Sequence, residues 1–279
     1  MESQEMKGRP LQGFLALTHR ELKKWYKEPL LLLITILQPL IWMIFLGKAM
    51  NLEAVFGGGL PPDLARQLML RSFGTADYFS FMAIGMIAVT CLFTTMFTGF
   101  SIIWDRRLGF LNKVLSTPVS RVSVVFAKVF YATLRSSFQV LIILSAAFAL
   151  GLQTGPGFHP LYLLGVLLVT FMVCVTFSSL FLMLALRSTR WETPMAMVNL
   201  LVMPLMFASN VFFPLELMPG WLKTVASFNP LSYTNDALRQ FTIYELDLNA
   251  LLKDLTYLGL FCLFISSLSI YLAKKYLSR

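Results

Sequence analysis

Apolar residues in this chain fall in long unbroken runs. The runs cover 29–47, 78–103, 124–150, 160–186, 194–213 and 255–273. A helix rises 1.5 Å per residue, so about 20 apolar residues cross the roughly 30 Å hydrocarbon layer of a bilayer. The runs lack the apolar–polar alternation of barrel strands, which excludes a transmembrane barrel. They predict six spanning helices. Ahead of them, residues 1–28 interleave Arg20, Lys23, Lys24 and Lys27 with Phe14, Leu15, Leu17, Leu22, Trp25 and Tyr26. Leu15, Leu22 and Trp25 fall near one helical face, which predicts an amphipathic helix lying in the interface. A cleaved signal peptide fits poorly, because the charged stretch is long and no convincing cleavage site follows.

Composition agrees with this reading. Of 279 residues, 57% are hydrophobic and 13% are charged. A soluble domain carries about 25% charged residues, so this chain has too few to coat a water-facing surface. The net charge of +9 would suggest nucleic acid in a soluble protein; here its distribution reports orientation. With the N-terminus inside, the inside segments are 1–28, the loop after the second run through Lys128, the loop after the fourth run, and 274–279. They hold 16 Lys and Arg against 6 Asp and Glu, whereas the outside segments hold 6 against 7. This positive-inside bias predicts a multi-pass plasma-membrane protein with both termini in the cytoplasm.

Several chemistries are missing from the sequence. Cys91, Cys174 and Cys262 sit apart inside apolar runs and read as small filler. His19 and His159 are isolated, so no metal site is expected. No phosphate-binding G-x-x-x-x-G-K-[ST] occurs; Gly57-Gly58-Gly59 precedes Leu60 and two prolines and reads as a turn. H-E-x-x-H and G-x-S-x-G are absent, and no run holds a pair of carboxylates. The chain therefore offers no catalytic residues and no ionisable relay for a proton-driven pump. Energy for uphill transport would have to come from a partner.

The loop 104–123 is the most informative stretch. Leu108, Leu111 and Leu115 follow three- and four-residue steps, which predicts a short helix with an apolar stripe ended by Pro118. Such a helix rests on lipid or seats in a partner's groove. Asp105 can pair with Arg106 or Arg107, cap the helix after it, or join an ion-pair relay that links the loop to the N-terminal helix and a partner. The order Asp105-Arg106-Arg107-x-Gly109, then Leu115-x-Thr117-Pro118-x-Ser120-Arg121, resembles the [DE]-R-x-x-G…L-x-[ST]-P-x-[ST]-R signature of type 2 (ABC-2) permeases of ATP-binding-cassette transporters. A second stretch is similar to the family's segment before its last span: Phe213-Pro214-Leu215-x-x-Met218-Pro219-x-Trp221-Leu222, then Asn229-Pro230-Leu231-Ser232-Tyr233-x-x-Asp236-Ala237-Leu238-Arg239. Asp105 stands where the family often has Glu, and Asn112 and Lys113 where an acidic residue is common.

The resemblance implies an all-α polytopic fold, the transmembrane domain of a type 2 ABC exporter with six transmembrane helices, occupying 1–279 as one domain. Residues 1–28 would be the connecting helix. Residues 104–123 would hold the coupling helix that meets a separate ATPase through Asp105, Arg106, Arg107, Gly109, Leu111, Leu115, Pro118 and Arg121. Residues 214–252 would form an external, re-entrant region in which Asn229, Pro230, Tyr233, Asp236 and Arg239 gate exit. Spans two and five would line the cargo path, with Phe81, Met82 and Phe93 from one and Met203, Met206, Phe207 and Asn210 from the other. Partners would be two copies of an ABC ATPase, which bind ATP and Mg, and a second permease copy or close paralogue. Amphiphilic, drug-like or lipid cargo is the first expectation and a lipid-linked glycan the second, with a stand-alone channel or secondary transporter as the rival class. Structural roles for the same residues stay open: core packing for the Met and Phe side chains, a static plug for 214–240, and snorkelling for Arg135.

Overall fold

The computed structural model describes residues 10–49, 61–117, 119–186, 188 and 192–276. The expected turn at Gly57–Gly59 and the helix stop at Pro118 lie outside these residues. The described chain is helical. Helix α1 (Pro10–Lys27) leads to α2 (Pro29–Trp42), which continues as a π-helical segment (Met43–Ala49). Then come α3 (Pro62–Phe73), α4 (Tyr78–Arg107), α5 (Phe110–Leu115), α6 (Arg121–Ala149), α7 (Tyr162–Leu186) and α8 (Glu192–Phe207). A 3₁₀ turn (Leu215–Leu217) precedes α9 (Gly220–Ala226), α10 (Pro230–Gln240) and α11 (Leu248–Tyr276).

Helix α4 is the centre of the bundle. Its sequence is apolar all round, as befits a helix with neighbours on every side, and residues 78–92 are buried without a break. Asp77 starts it by accepting hydrogen bonds from the backbone N–H groups of Phe79 and Ser80. Its 30 residues span about 45 Å, so its last turn, with Asp105, Arg106 and Arg107, reaches past the apolar run. Helices α6 and α7 pack against α4, α11 packs outside α7, and α1 lies along α6. The end that carries α1 and the α4–α6 loop is called the basic end below.

Four stretches are long and apolar enough to cross a membrane: Arg66–Arg107, which contains α4, and helices α6, α7 and α11. The α1–α2 pair, bent by 68°, raises this to as many as five. The expected fifth run, 194–213, falls short as a helix. Helix α8 has 16 residues, about 24 Å, and ends at Phe207. Past Pro204 the chain turns, because its carbonyls find partners outside the helix. Asn229 Nδ2 donates to the carbonyls of Leu205 and Ala208, both at 2.7 Å. Arg239 takes those of Asn210 and Val211 at 2.8 and 3.3 Å.

Candidate functional site: an ion-paired node and an apolar groove

Two features stand out, one at the basic end and one on the flank of the bundle. At the basic end, Asp105 is 2% exposed. A carboxylate this deep must be paired, and its partners come from two other helices. Lys128 Nζ on α6 lies 2.6 Å from Oδ2, while Arg20 and Lys24 on α1 lie 3.0 and 3.3 Å from Oδ1. Glu21 completes the group, 2.7 Å from Arg20 and 3.6 Å from Lys128. Lys128 also donates to Ser101 Oγ at 2.7 Å. The node ties α1, α4 and α6 together where the α4–α6 loop begins.

Of the pairings expected for Asp105, the link to the N-terminal helix is present, and none to Arg106 or Arg107 is made among the described residues. Arg106 turns the other way and donates to the carbonyls of Leu186 and Ser188, both at 2.9 Å, closing the end of α7. Helix α5 has no side-chain cap; it follows Gly109, whose φ of +70° favours a residue without Cβ. Arg20 stacks over the Phe110 ring at 3.4 Å, so α1 grips the loop a second time.

The expected leucine stripe is divided. Leu111 is 3% exposed and joins the core with Val114, Leu115 is half-buried, and Leu108 is 75% exposed. The surface the loop offers a partner is Arg107, Leu108, Asn112, Lys113, Ser116 and Thr117, with Arg121 exposed beyond it. Pro118 lies outside the described residues. Arg121, Lys128 and Arg135 recur every seven residues along α6, and of these Lys128 enters the node. Arg135 is 4% exposed, so it does not snorkel to water within the described chain.

On the flank, α8 touches α4 and α7 only lightly. This leaves a groove of about 430 Å³ between α2, α4 and α8. Phe93 lines it from α4, and Met203, Met206 and Phe207 line it from α8. Phe81, Met82 and Asn210 do not. Phe81 is fully buried on another face of α4, where Arg239 stacks over its ring at 3.5 Å. Met82 is fully buried in the core, and Asn210 sits past the end of α8, bonded to Asp236 and Asn235. Aromatic identity marked these positions, but the helical face decides which of them meet the groove.

At the far end, α10 is pinned to the bundle. Asn229 caps it, accepting from the Leu231 N–H at 3.0 Å, and Pro230 fills the first helical position. Tyr233 stacks on Tyr257 with ring centroids 3.8 Å apart and donates to the Ser227 carbonyl at 2.8 Å. Arg239 is fully buried and lies 4.0 Å from Asp236; its hydrogen bonds go to the carbonyls of Phe81, Asn210 and Val211. Gly85 makes room for this, since a Cβ there would stand 2.6 Å from the Val211 oxygen. In the loop after α10, burial pushes the Tyr244 phenol up to about 12, and its hydroxyl donates to the Phe73 carbonyl. Of the residues expected to gate exit, Asn229, Asp236 and Arg239 hold the turn after α8, whereas Tyr233 faces α11.

Sequence reasoning missed Glu21, Thr94 and Gln139. Gln139, 0% exposed, receives the Thr94 hydroxyl proton at 2.6 Å and donates to Thr35 Oγ1 at 2.6 Å, bridging α4 and α2. A lone amide inside an apolar run was the available signal.

Residues 12–242, most of the chain, match the family described as ABC-2 type transporter. The chain belongs to the ABC-2 type transporter family. A ycf38 transport permease of Cyanophora paradoxa is 31% identical over 82% of this chain and 73% of its own length. The daunorubicin resistance ABC transporter permease protein DrrB1 of Streptomyces coeruleorubidus is 24% identical over 80% of this chain and 73% of its own length. Nodulation protein J of Rhizobium leguminosarum bv. viciae is 23% identical over 91% and 89%. The chain is therefore an ABC-2 permease, a membrane transport subunit of a family that implies an ABC ATPase partner.

Proposed function

We propose that this permease exports an amphiphilic, drug-like or lipid substrate across the plasma membrane, powered by two separate ATPase subunits that bind ATP and Mg. In this reading six segments span, α2 with its π-helical extension and α8 joining the four long helices, and both termini face the cytoplasm. A second permease copy, the same chain or a close paralogue, completes the transporter. Helix α5 and its exposed neighbours meet the ATPase, so the basic end is the cytoplasmic one.

The observation that carries this reading is the Asp105 node. A rigid tie between α1, α4 and α6 at the base of the loop lets force on α5 reach α4, and α4 forms one wall of the groove. A ligand-driven change needs only a difference in interaction energy between two arrangements, and ATP-driven closure of the partner would supply it. The apolar groove supports amphiphilic cargo over a glycan, whose hydroxyls would find few partners among its Met and Phe side chains.

The test is co-purification followed by reconstitution. The native protein should bring down an ABC ATPase, and vesicles holding both should accumulate a fluorescent amphiphile only with ATP. Transport without any ATPase would replace this reading with a channel or secondary transporter.

A further inference from the structure

The groove has a polarity that its apolar composition hides. Its hydroxyls are those of Thr35, Tyr78, Thr90 and Thr94, and no charged side chain lines it among the described residues. Each hydroxyl has one proton, and all four protons are committed inside the protein. Thr35 donates to the Leu32 carbonyl at 2.9 Å, Thr90 to the Met86 carbonyl at 2.7 Å, and Tyr78 to the Phe212 carbonyl at 3.2 Å. Thr94 donates to Gln139 Oε1 at 2.6 Å.

The orientation of the Gln139 amide follows from the same accounting. The Thr35 proton goes to Leu32, so Thr35 must receive in its bond with Gln139. The amide N–H therefore faces Thr35 and Oε1 faces Thr94. A hydroxyl whose proton is spent retains only acceptor lone pairs. Gln38 and Asn199 also line the groove, but an amide offers either end and does not discriminate. Trp42 is the lining group that can only donate.

We infer that the groove selects cargo bearing a hydrogen-bond donor, a hydroxyl or N–H, on an otherwise apolar frame. The inference rests on reading the groove as the cargo path. A donor-bearing molecule gains a partner there. One that only accepts gains nothing from the hydroxyl wall and depends on Trp42, Gln38 or Asn199 for a donor. Gln139 belongs to the wall without lining it: it holds the Thr35 and Thr94 hydroxyls across the gap between α2 and α4.

The test uses the full chain in lipid nanodiscs and two neutral probes, 6-(2-naphthyl)hexanol and its methyl ether. Partition into protein-free nanodiscs is subtracted from each. The wild type should bind the alcohol about 3–10-fold more tightly than the ether, the worth of one neutral hydrogen bond. Thr90→Val leaves no buried partner unsatisfied, since Met86 O remains in the helix ladder, and should reduce the ratio. Combined with Thr35→Val and Thr94→Val it should lower the ratio further, toward the share that the Tyr78 hydroxyl alone supplies. The ratio is taken on a single sample, so a fall in folded protein does not move it. Equal or tighter binding of the ether, or an undiminished preference in the triple variant, overturns the inference while leaving the groove as cargo path. Loss of saturable binding for both probes in the wild type overturns the groove reading and the inference with it.

Discussion

Replacing Asp105 with Asn tests the node directly. The variant keeps the shape of the side chain and removes one of the two carboxylates in a cluster with three cations. Lys128, 4% exposed, then keeps Ser101 at 2.7 Å but, among the described residues, has only Glu21, at 3.6 Å, as a charged partner. Breaking a buried pair from one side costs about 3–5 kcal/mol, because the remaining charge stays desolvated. At roughly 2–4 °C per kcal/mol for a chain of this size, the melting midpoint should fall by about 6 °C or more. Lys128→Met alone should be destabilising for the mirror reason. The double variant, which removes the pair, should be more stable than the sum of the single losses predicts, as coupled partners require. The assay is tryptophan-fluorescence melting of the purified protein in detergent, with Trp25 on α1 and Trp104 on α4 close to the perturbation. An unchanged midpoint for Asp105→Asn, or strict additivity in the double variant, refutes the node as an energetic tie.

Three further outcomes are expected. Leu108→Asp, on a side chain 75% exposed, should leave melting unchanged yet lower ATP-dependent transport in reconstituted vesicles; full transport would remove this surface from partner docking. Arg239→Lys keeps the charge but shortens the side chain and withdraws the single nitrogen, Nη2, that reaches three carbonyls, at about 1–3 kcal/mol per carbonyl left unsatisfied, and hydrogen–deuterium exchange should rise across residues 208–213. Gly85→Ala places a Cβ 2.6 Å from the Val211 oxygen and should cost about 1–3 kcal/mol as overpacking, read as a lower melting midpoint.

Some expectations failed for a shared reason. An apolar run that is hydrophobic all round has no preferred face, so the sequence could not say which aromatic side chains on α4 meet the groove. Phe93 does, whereas Phe81 lies beneath Arg239. The leucine stripe of α5 failed differently. Leu111 and Leu115 lie on the helix, but Leu108 precedes it and faces outward while Leu111 turns inward, because the helix begins only after Gly109.

The sequence by itself determined what short-range physics controls. Unbroken apolar runs must become helices in a bilayer, since each backbone N–H and C=O has to be satisfied within its own segment. Asp77 and Asn229 stand immediately before their helices and cap them. The two motifs that carry the family resemblance are also local. Only the tertiary structure decided the rest. Asp105 meets Arg20 and Lys24 from more than 80 positions away, and Gln139 joins Thr35 to Thr94. The end of α8 was decided likewise, by Asn229 and Arg239 capturing carbonyls that a longer helix would have kept. A buried polar group must find a partner, but the sequence states only that need; the partner depends on which helices lie side by side.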